Sequence, residues 1–163
     1  MATPMATSVA AGVRTTAASL KDLGLPAADQ VGMVVRDLDA SIALYDPLFG
    51  PFHRMDGSVA AADYRGGVAD VGLDLAFGRS GDLEIELIQW TSGHSPHSEF
   101  IEKGREGMHH IRFRVDDCDG WVRKLEALGY ERVWGKHLEQ PKAVFAYMER
   151  PGDPVLIEFL EMA

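Results

Sequence analysis

Two stretches decide the fold: Gln30-Val-Gly-Met-Val-Val-Arg-Asp-Leu-Asp-Ala-Ser-Ile-Ala-Leu-Tyr45 and His110-Ile-Arg-Phe-Arg-Val-Asp-Asp-Cys-Asp-Gly-Trp-Val-Arg-Lys-Leu125. Their apolar and acidic positions coincide over sixteen residues without a gap, at a constant offset of 80 from position 30 to position 110. Val31, Met33 and Val35 align with Ile111, Phe113 and Val115; Asp37 and Asp39 with Asp117 and Asp119; Ile42 and Tyr45 with Val122 and Leu125. A match of this length indicates an internal duplication. Each copy opens with apolar residues at every second position, the period of a half-buried strand. An Asp-x-Asp cap follows, and the spacing turns helical through Ile42, Tyr45 and Leu48 in one copy and Val122, Leu125 and Leu128 in the other. Gly50 and Gly129 supply the stops, and Pro47 predicts a kinked or shortened last turn in the first helix.

Strand-like runs follow each helix, roughly 67–77 and 83–90 in the first copy and 143–148 and 155–160 in the second. Each copy therefore reads as β-α-β-β-β, give or take a strand. Between them, Ser95-Pro96 is a cap and first helical residue, and Phe100, Ile101 and Gly104 complete a short linker helix. The expected organisation is a first module over about 29–91, a linker helix over 95–104 and a second module over about 107–161. The first 28 residues are half Ala, Thr and Ser and lack the basic start and apolar run of a signal peptide. They read as a mobile tail with one helical turn around Ser19 to Leu23, folded structure beginning near Asp29.

The composition limits the function. With 163 residues, 46% apolar and 25% charged, the chain holds material for one core, which excludes disordered and fibrous classes. A formal charge of −9 repels phosphate backbones and anionic lipid, so nucleic acid and membrane are poor partners. Cys118 is the only cysteine, which excludes an intrachain disulfide and a cysteine-based zinc cluster and makes a reducing cytoplasm the simplest setting. No apolar run approaches the length of a membrane span.

Strand parity then locates a site. The odd-numbered apolar residues of each opening strand face its helix, so the even-numbered ones face the other way: Gln30, Gly32, Val34 and Arg36 in one copy, His110, Arg112 and Arg114 in the other. Gln30 and His110 occupy the same place in the two copies. A second symmetric pair lies in the last strands, where Ile85-Glu86-Leu87 matches Ile157-Glu158-Phe159. If the modules form one curved sheet, Gln30, Glu86, His110 and Glu158 converge, and two carboxylates, an imidazole and an amide oxygen suit a divalent cation.

From Asp29 onward the chain resembles the vicinal oxygen chelate superfamily, the glyoxalase/bleomycin-resistance fold. Ser95-Pro96-His97-Ser98-Glu99-Phe100-Ile101-Glu102-Lys103, with Gly107-Met108-His109-His110-Ile111 and Val115-Asp116-Asp117, is similar to its methylmalonyl-CoA epimerase branch. The resemblance implies an α+β fold of two tandem βαβββ modules forming a curved mixed sheet around a central cleft, a divalent metal in that cleft and a homodimer. It carries the metal ligands onto Gln30, Glu86, His110 and Glu158. The first of these is a departure, because the family ordinarily has His where this chain has Gln30, which is either an amide-oxygen ligand or a bystander.

What the resemblance implies about chemistry is a metal-dependent epimerase or isomerase acting through an enolate on a small carboxylic acid or acyl thioester. Epimerisation needs one group to remove a proton and another to return it from the opposite face. The resemblance places these at Glu158 and on the strand before Glu86, where Asp70 is the nearest match and Asp74 an acidic neighbour. Arg112 and Arg114 point into the cleft by parity and can hold a substrate carboxylate, or pair with Glu84, Glu86 or Glu158 instead. His53, His94 and His97 either line the pocket mouth or lie on the surface. Two other readings share the fold: a glyoxalase I-like isomerase, and a metal-free small-molecule-binding protein of the resistance type. An extradiol dioxygenase fits less well, since Gln30 removes one of its two histidines.

Overall fold

The computed structural model describes residues 19–163; of the tail expected over residues 1–28, residues 1–18 lie outside them. The chain runs β1 (Gln30–Val35), α1 (Leu38–Phe49), β2 (His53–Asp56), β3 (Val59–Tyr64), β4 (Gly67–Ser80), β5 (Leu83–Gly93), α2 (Pro96–Glu102), β6 (Gly107–Arg114), α3 (Cys118–Glu126), β7 (Glu131–Glu139), β8 (Lys142–Glu149) and β9 (Leu156–Met162). Both helices of the duplication start at the anticipated aspartates. Asp37 accepts from the Ala40 amide at 2.9 Å and Asp117 from the Gly120 amide at 2.8 Å. Such a cap is worth about 1 kcal/mol. α1 continues to Phe49 with Pro47 in its last turn, so the proline does not shorten it. Ser95 caps α2 through a reciprocal pair of bonds with Ser98.

The strands join in the order β2-β4-β3-β7-β8-β9-β6-β1-β5, and β5 returns to pair with β4. The sheet thus curves into a barrel-like ring, with β2 lying beside β4 beyond the end of β3. The duplication is preserved in the register. β1 runs parallel to β5 and β6 parallel to β9, while β1 and β6 meet antiparallel as one seam between the modules. The other seam, β3 to β7, holds only Asp63 opposite Gly135 and Tyr64 opposite Trp134. There Arg65 adds ion pairs to Glu99 of α2 and, at 2.9 Å, to Glu149 of β8.

Parity sorts the core as the sequence implies. Met33, Val35, Ala76 and Leu87 pack under α1 with Leu38, Ile42 and Tyr45. Phe113, Val115, Met148 and Phe159 pack under α3 with Trp121, Val122 and Leu125. A third cluster, including Val34, Leu73, Leu75, Ile88, Trp134, Phe145 and Tyr147, lines the concave side, with Phe100 of α2 among it. The turn at Ser19–Gly24, closed by the Leu23 amide on the Ser19 carbonyl at 3.2 Å, packs Leu20 and Leu25 against the α3 cluster. Ordered packing therefore begins before Asp29. Strands β2, β3 and β7 were not anticipated as separate elements: β2 is exposed at all four residues, and β3 is Ala-rich. Among the described residues no helix is long and apolar enough to cross a membrane.

Candidate metal centre

Gln30, Glu86, His110 and Glu158 come from β1, β5, β6 and β9, which are consecutive in the ring. All four side chains turn inward and are buried, Gln30 and His110 completely. His110 Nε2 lies 3.1 Å from Glu158 Oε2, 3.4 Å from Glu86 Oε2 and 3.3 Å from Gln30 Oε1. The Tyr147 hydroxyl stands 3.5 Å from the same nitrogen. The ring fits there because its neighbour across the seam is Gly32. A Cβ on Gly32 would stand 2.0 Å from His110 Cε1, so any side chain at that position would displace the imidazole.

The electrostatics follow from two buried carboxylates around one imidazole. Burial raises the Glu86 pKa, although His110 opposes this. Burial alone would lower the pKa of His110, but hydrogen bonds and charges from Glu158 and Glu86 outweigh it and push the imidazole up to about 9. Burial and the same two carboxylates keep the Tyr147 phenol protonated well above its ordinary range. A divalent cation held by these residues would answer the same negative charge in place of that proton. The donor set fits one. Donor atoms bound at about 2.0–2.2 Å to a common ion lie about 3.0–3.5 Å apart, the spacing found around His110. Moreover, apart from the His110 ring nitrogen 3.1 Å away, the buried Glu158 Oε2 has no hydrogen-bond partner among the described residues.

Behind this cluster lie two histidines that parity missed. His109 Nδ1 is 3.1 Å from His110 Nδ1, and the His97 ring stacks on His109 at 4.6 Å between centroids. Burial, followed by the charge of neighbouring histidines, lowers the pKa of both. Ring nitrogens of His97, His109 and His110 lie within 4.8 Å of one another, a second group able to hold a cation. It brings no carboxylate to balance the charge, whereas the Nε2 side of His110 brings two. Alternation alone could not reveal His109. A register shift pairs Gly32 with His110 but Met33 with Met108, leaving His109 as an extra residue between them.

Residues 29–147 match the glyoxalase/bleomycin resistance protein/dioxygenase superfamily. The chain belongs to that superfamily. It is 30% identical over 134 residues to the uncharacterized protein YwbC of Bacillus subtilis (strain 168), covering 82% of this chain and 95% of that one. A second relative from that organism, the uncharacterized protein YqjC, is 27% identical over 105 residues, covering 64% of this chain and 66% of its own. Among solved structures, methylmalonyl-CoA epimerase from Mycobacterium tuberculosis superposes with a TM-score of 0.57 at 23% identity, over 92% of this chain and 94% of its own. The Streptomyces coelicolor epimerase in complex with 2-nitronate-propionyl-CoA gives 0.54 at 22% identity, over 85% and 99%. At such identities the likeness is one of fold.

The glyoxalase-type cleft is a cavity of about 460 Å³ lined by Glu86, His97, Arg112, Tyr147 and Glu158 on its polar side and by Leu73, Leu75, Phe77, Trp134, Leu138 and Phe145 elsewhere. Two expected cleft residues, Asp70 and Arg114, lie elsewhere. Asp70 does not reach it: the inward residues of β4 are the odd-numbered Val71, Leu73 and Leu75, and Asp70 is exposed, accepting from the Ala61 amide at 2.7 Å. Asp74 is exposed for the same reason. Arg114 lies 59% exposed beside Asp29 and is not among the lining residues. Arg112 does line the cleft, but its guanidinium is already engaged, bidentate to Asp29 at 3.1 and 2.7 Å and to Glu84 at 3.1 Å. His97 is buried in the cleft wall, while His53 and His94 are exposed.

Proposed function

We propose that this chain is a metal-dependent isomerase that forms and reprotonates an enolate of a compact acid, ketone or thioester carrying an apolar or aromatic substituent. The observation that supports it most is the convergence of Gln30, Glu86, His110 and Glu158, of which Glu86 and Glu158 line the cleft beside its apolar wall. A divalent cation at these four residues supplies a Lewis acid for two neighbouring substrate oxygens and so favours the enolate.

The chain's own groups then divide the work. Glu158 takes the α-proton and passes it back to the substrate, its carboxylate being buried in the cleft with only His110 close to Oε2. Tyr147 keeps its proton and donates a hydrogen bond to a substrate oxygen. Leu73, Leu75, Phe77, Trp134 and Phe145 hold the substituent and exclude water. Apart from His97 of α2, the buried acid–base groups of the cleft sit on β5, β6, β8 and β9, whereas the lining residues of β4, Leu73, Leu75 and Phe77, are apolar. With Glu158 as the base, removal of the proton and its return on the same face to the neighbouring carbon, which exchanges the positions of carbonyl and hydroxyl, are favoured over epimerisation. The cations near the cleft do not favour a coenzyme A phosphate either, since Arg112 is tied to Asp29 and Glu84 and Lys136 bonds the Ala60 carbonyl. A homodimer in a reducing cytoplasm belongs to the same proposal.

Solvent-deuterium exchange into 2-oxo acids and acyl thioesters, followed by NMR on protein loaded with manganese, zinc or cobalt, tests this reading. Exchange with retained configuration that is lost in Glu158→Gln supports it; racemisation would show a second base, and no exchange with any loaded ion would overturn it. The apolar wall favours one other reading, a protein of this fold that sequesters an apolar compound, which tight binding without exchange would carry.

A further inference from the structure

The two halves of the site present their inward donors in the same register but with different neighbours. On β1 and β5, Gln30 stands opposite Glu84; on β6 and β9, His110 stands opposite Leu156. Glu84 and Leu156 are equivalent, each lying two residues before the carboxylate that faces the site. The carboxylate is thus present where the donor is an amide and absent where it is an imidazole.

Its geometry gives it a task. Gln30 Nε2 donates to Glu84 Oε1 at 2.7 Å. A carboxylate only accepts, so this bond fixes which end of the amide is which and turns Gln30 Oε1 toward His110 Nε2. With the amide reversed, an NH2 group would face the cluster and repel a cation. Glu84 is itself held by Arg112 Nη2 at 3.1 Å, and Arg112 is braced by Asp29, so a strand of the second module locks a donor of the first.

We propose that Glu84 is a positioning residue that fixes the Gln30 amide oxygen as a metal donor, and that this oxygen moves the site's preference toward oxygen-seeking ions such as Mn(II) relative to a histidine at the same position. The proposal rests on the metal reading above. It assigns the site three oxygen donors and one nitrogen, a harder set than one with two imidazoles.

Metal-free protein titrated with Mn(II), with the free ion followed by its electron paramagnetic resonance signal and Zn(II) affinity measured against a chelator, tests both levels separately. Outer partners of metal ligands contribute about 10–100-fold to affinity, and a loss of that size for Mn(II) is expected in Glu84→Gln. In Gln30→His, Zn(II) gains over Mn(II), and adding Glu84→Gln then weakens both ions alike and no longer Mn(II) selectively, because an imidazole has no amide ends to reverse. Glu84→Ala, with its fold checked by circular dichroism, shows the Mn(II) loss where the new amide of Glu84→Gln still accepts from Gln30 and masks it. Stoichiometric Mn(II) binding that both Glu84 variants leave unchanged would overturn this proposal while leaving the metal reading intact. No ion bound by the unaltered protein would overturn both.

Discussion

The halves of this molecule share a register and differ in what surrounds it. In the first half the inward residue opposite His110 across the seam is Gly32, whose missing side chain leaves room for the imidazole. In the second half the equivalent of Gly32 is Arg112, a long cation that crosses to Asp29 and Glu84. One copy yields space and an amide, and the other fills the space with an imidazole and braces the amide. A duplicated fold thereby builds one asymmetric site: Gly32 of the first half makes room for His110, and Arg112 of the second holds the Glu84 that orients Gln30.

That comparison can be broken most severely at Gly32. Gly32→Val puts a branched side chain where the His110 ring sits, so metal affinity should fall by about 100-fold or more, the upper range for lost support of a ligand, with overpacking costing about 1–3 kcal/mol of stability. Isothermal titration and urea unfolding read the two effects; a variant that binds as tightly as the parent would show that His110 has room elsewhere. Next comes the brace. Arg112→Met removes the nearest and most buried cation from Asp29 and Glu84, leaving Arg114 at 3.6 Å and Arg79 at 3.9 Å, a loss of about 2–3 kcal/mol in urea unfolding. The figure is below that for a fully buried pair because the two carboxylates stay 29% and 23% exposed.

The two seams offer a smaller test. At β3–β7, Glu99 sits between Tyr64, Arg65 and Lys103. Burial would raise its pKa, but the Arg65 and Tyr64 hydrogen bonds outweigh it and lower the group from 4.5 to about 2. A depressed carboxylate stabilises the fold above its unfolded pKa and loses that contribution as pH falls. Glu99→Gln should therefore cost about 1–2 kcal/mol at neutral pH after allowance for solvent screening, a difference that shrinks between pH 4.5 and 2. A pH-independent difference would mean that packing, not charge, holds this seam. The smallest effect tests what the halves keep in common: Asp37→Ala and Asp117→Ala should each cost about 1 kcal/mol, since both caps make the same bond.

Much of this was legible in the chain. The offset that aligns Gln30 with His110, and the repeated Ile-Glu contexts of Glu86 and Glu158, carry both the duplication and the inward residues, because parity is local and strands β1, β5, β6 and β9 alternate cleanly there. Parity fails at an inserted residue, which is why His109 escaped it, and it assigns a face without saying who else is on it. Glu84 was among the alternative partners read for Arg112, whereas its bidentate bond to Asp29 depends on a cross-strand register that sequence does not display. Asp70 was chosen by spacing to Glu86, and its even position on β4 turns it to solvent. His97 belongs to a helix whose burial comes from closing the concave side, a tertiary effect without a local signal.

The central claim is that four residues from both halves form a single cation site. Metal content per chain, measured by plasma mass spectrometry on freshly purified protein beside a Glu158→Ala control, tests it most directly. One divalent ion per chain, lost in the control, is the expected result; an absence of metal from the unaltered protein even after reloading, or an ion retained by the control, would contradict the shared cation site.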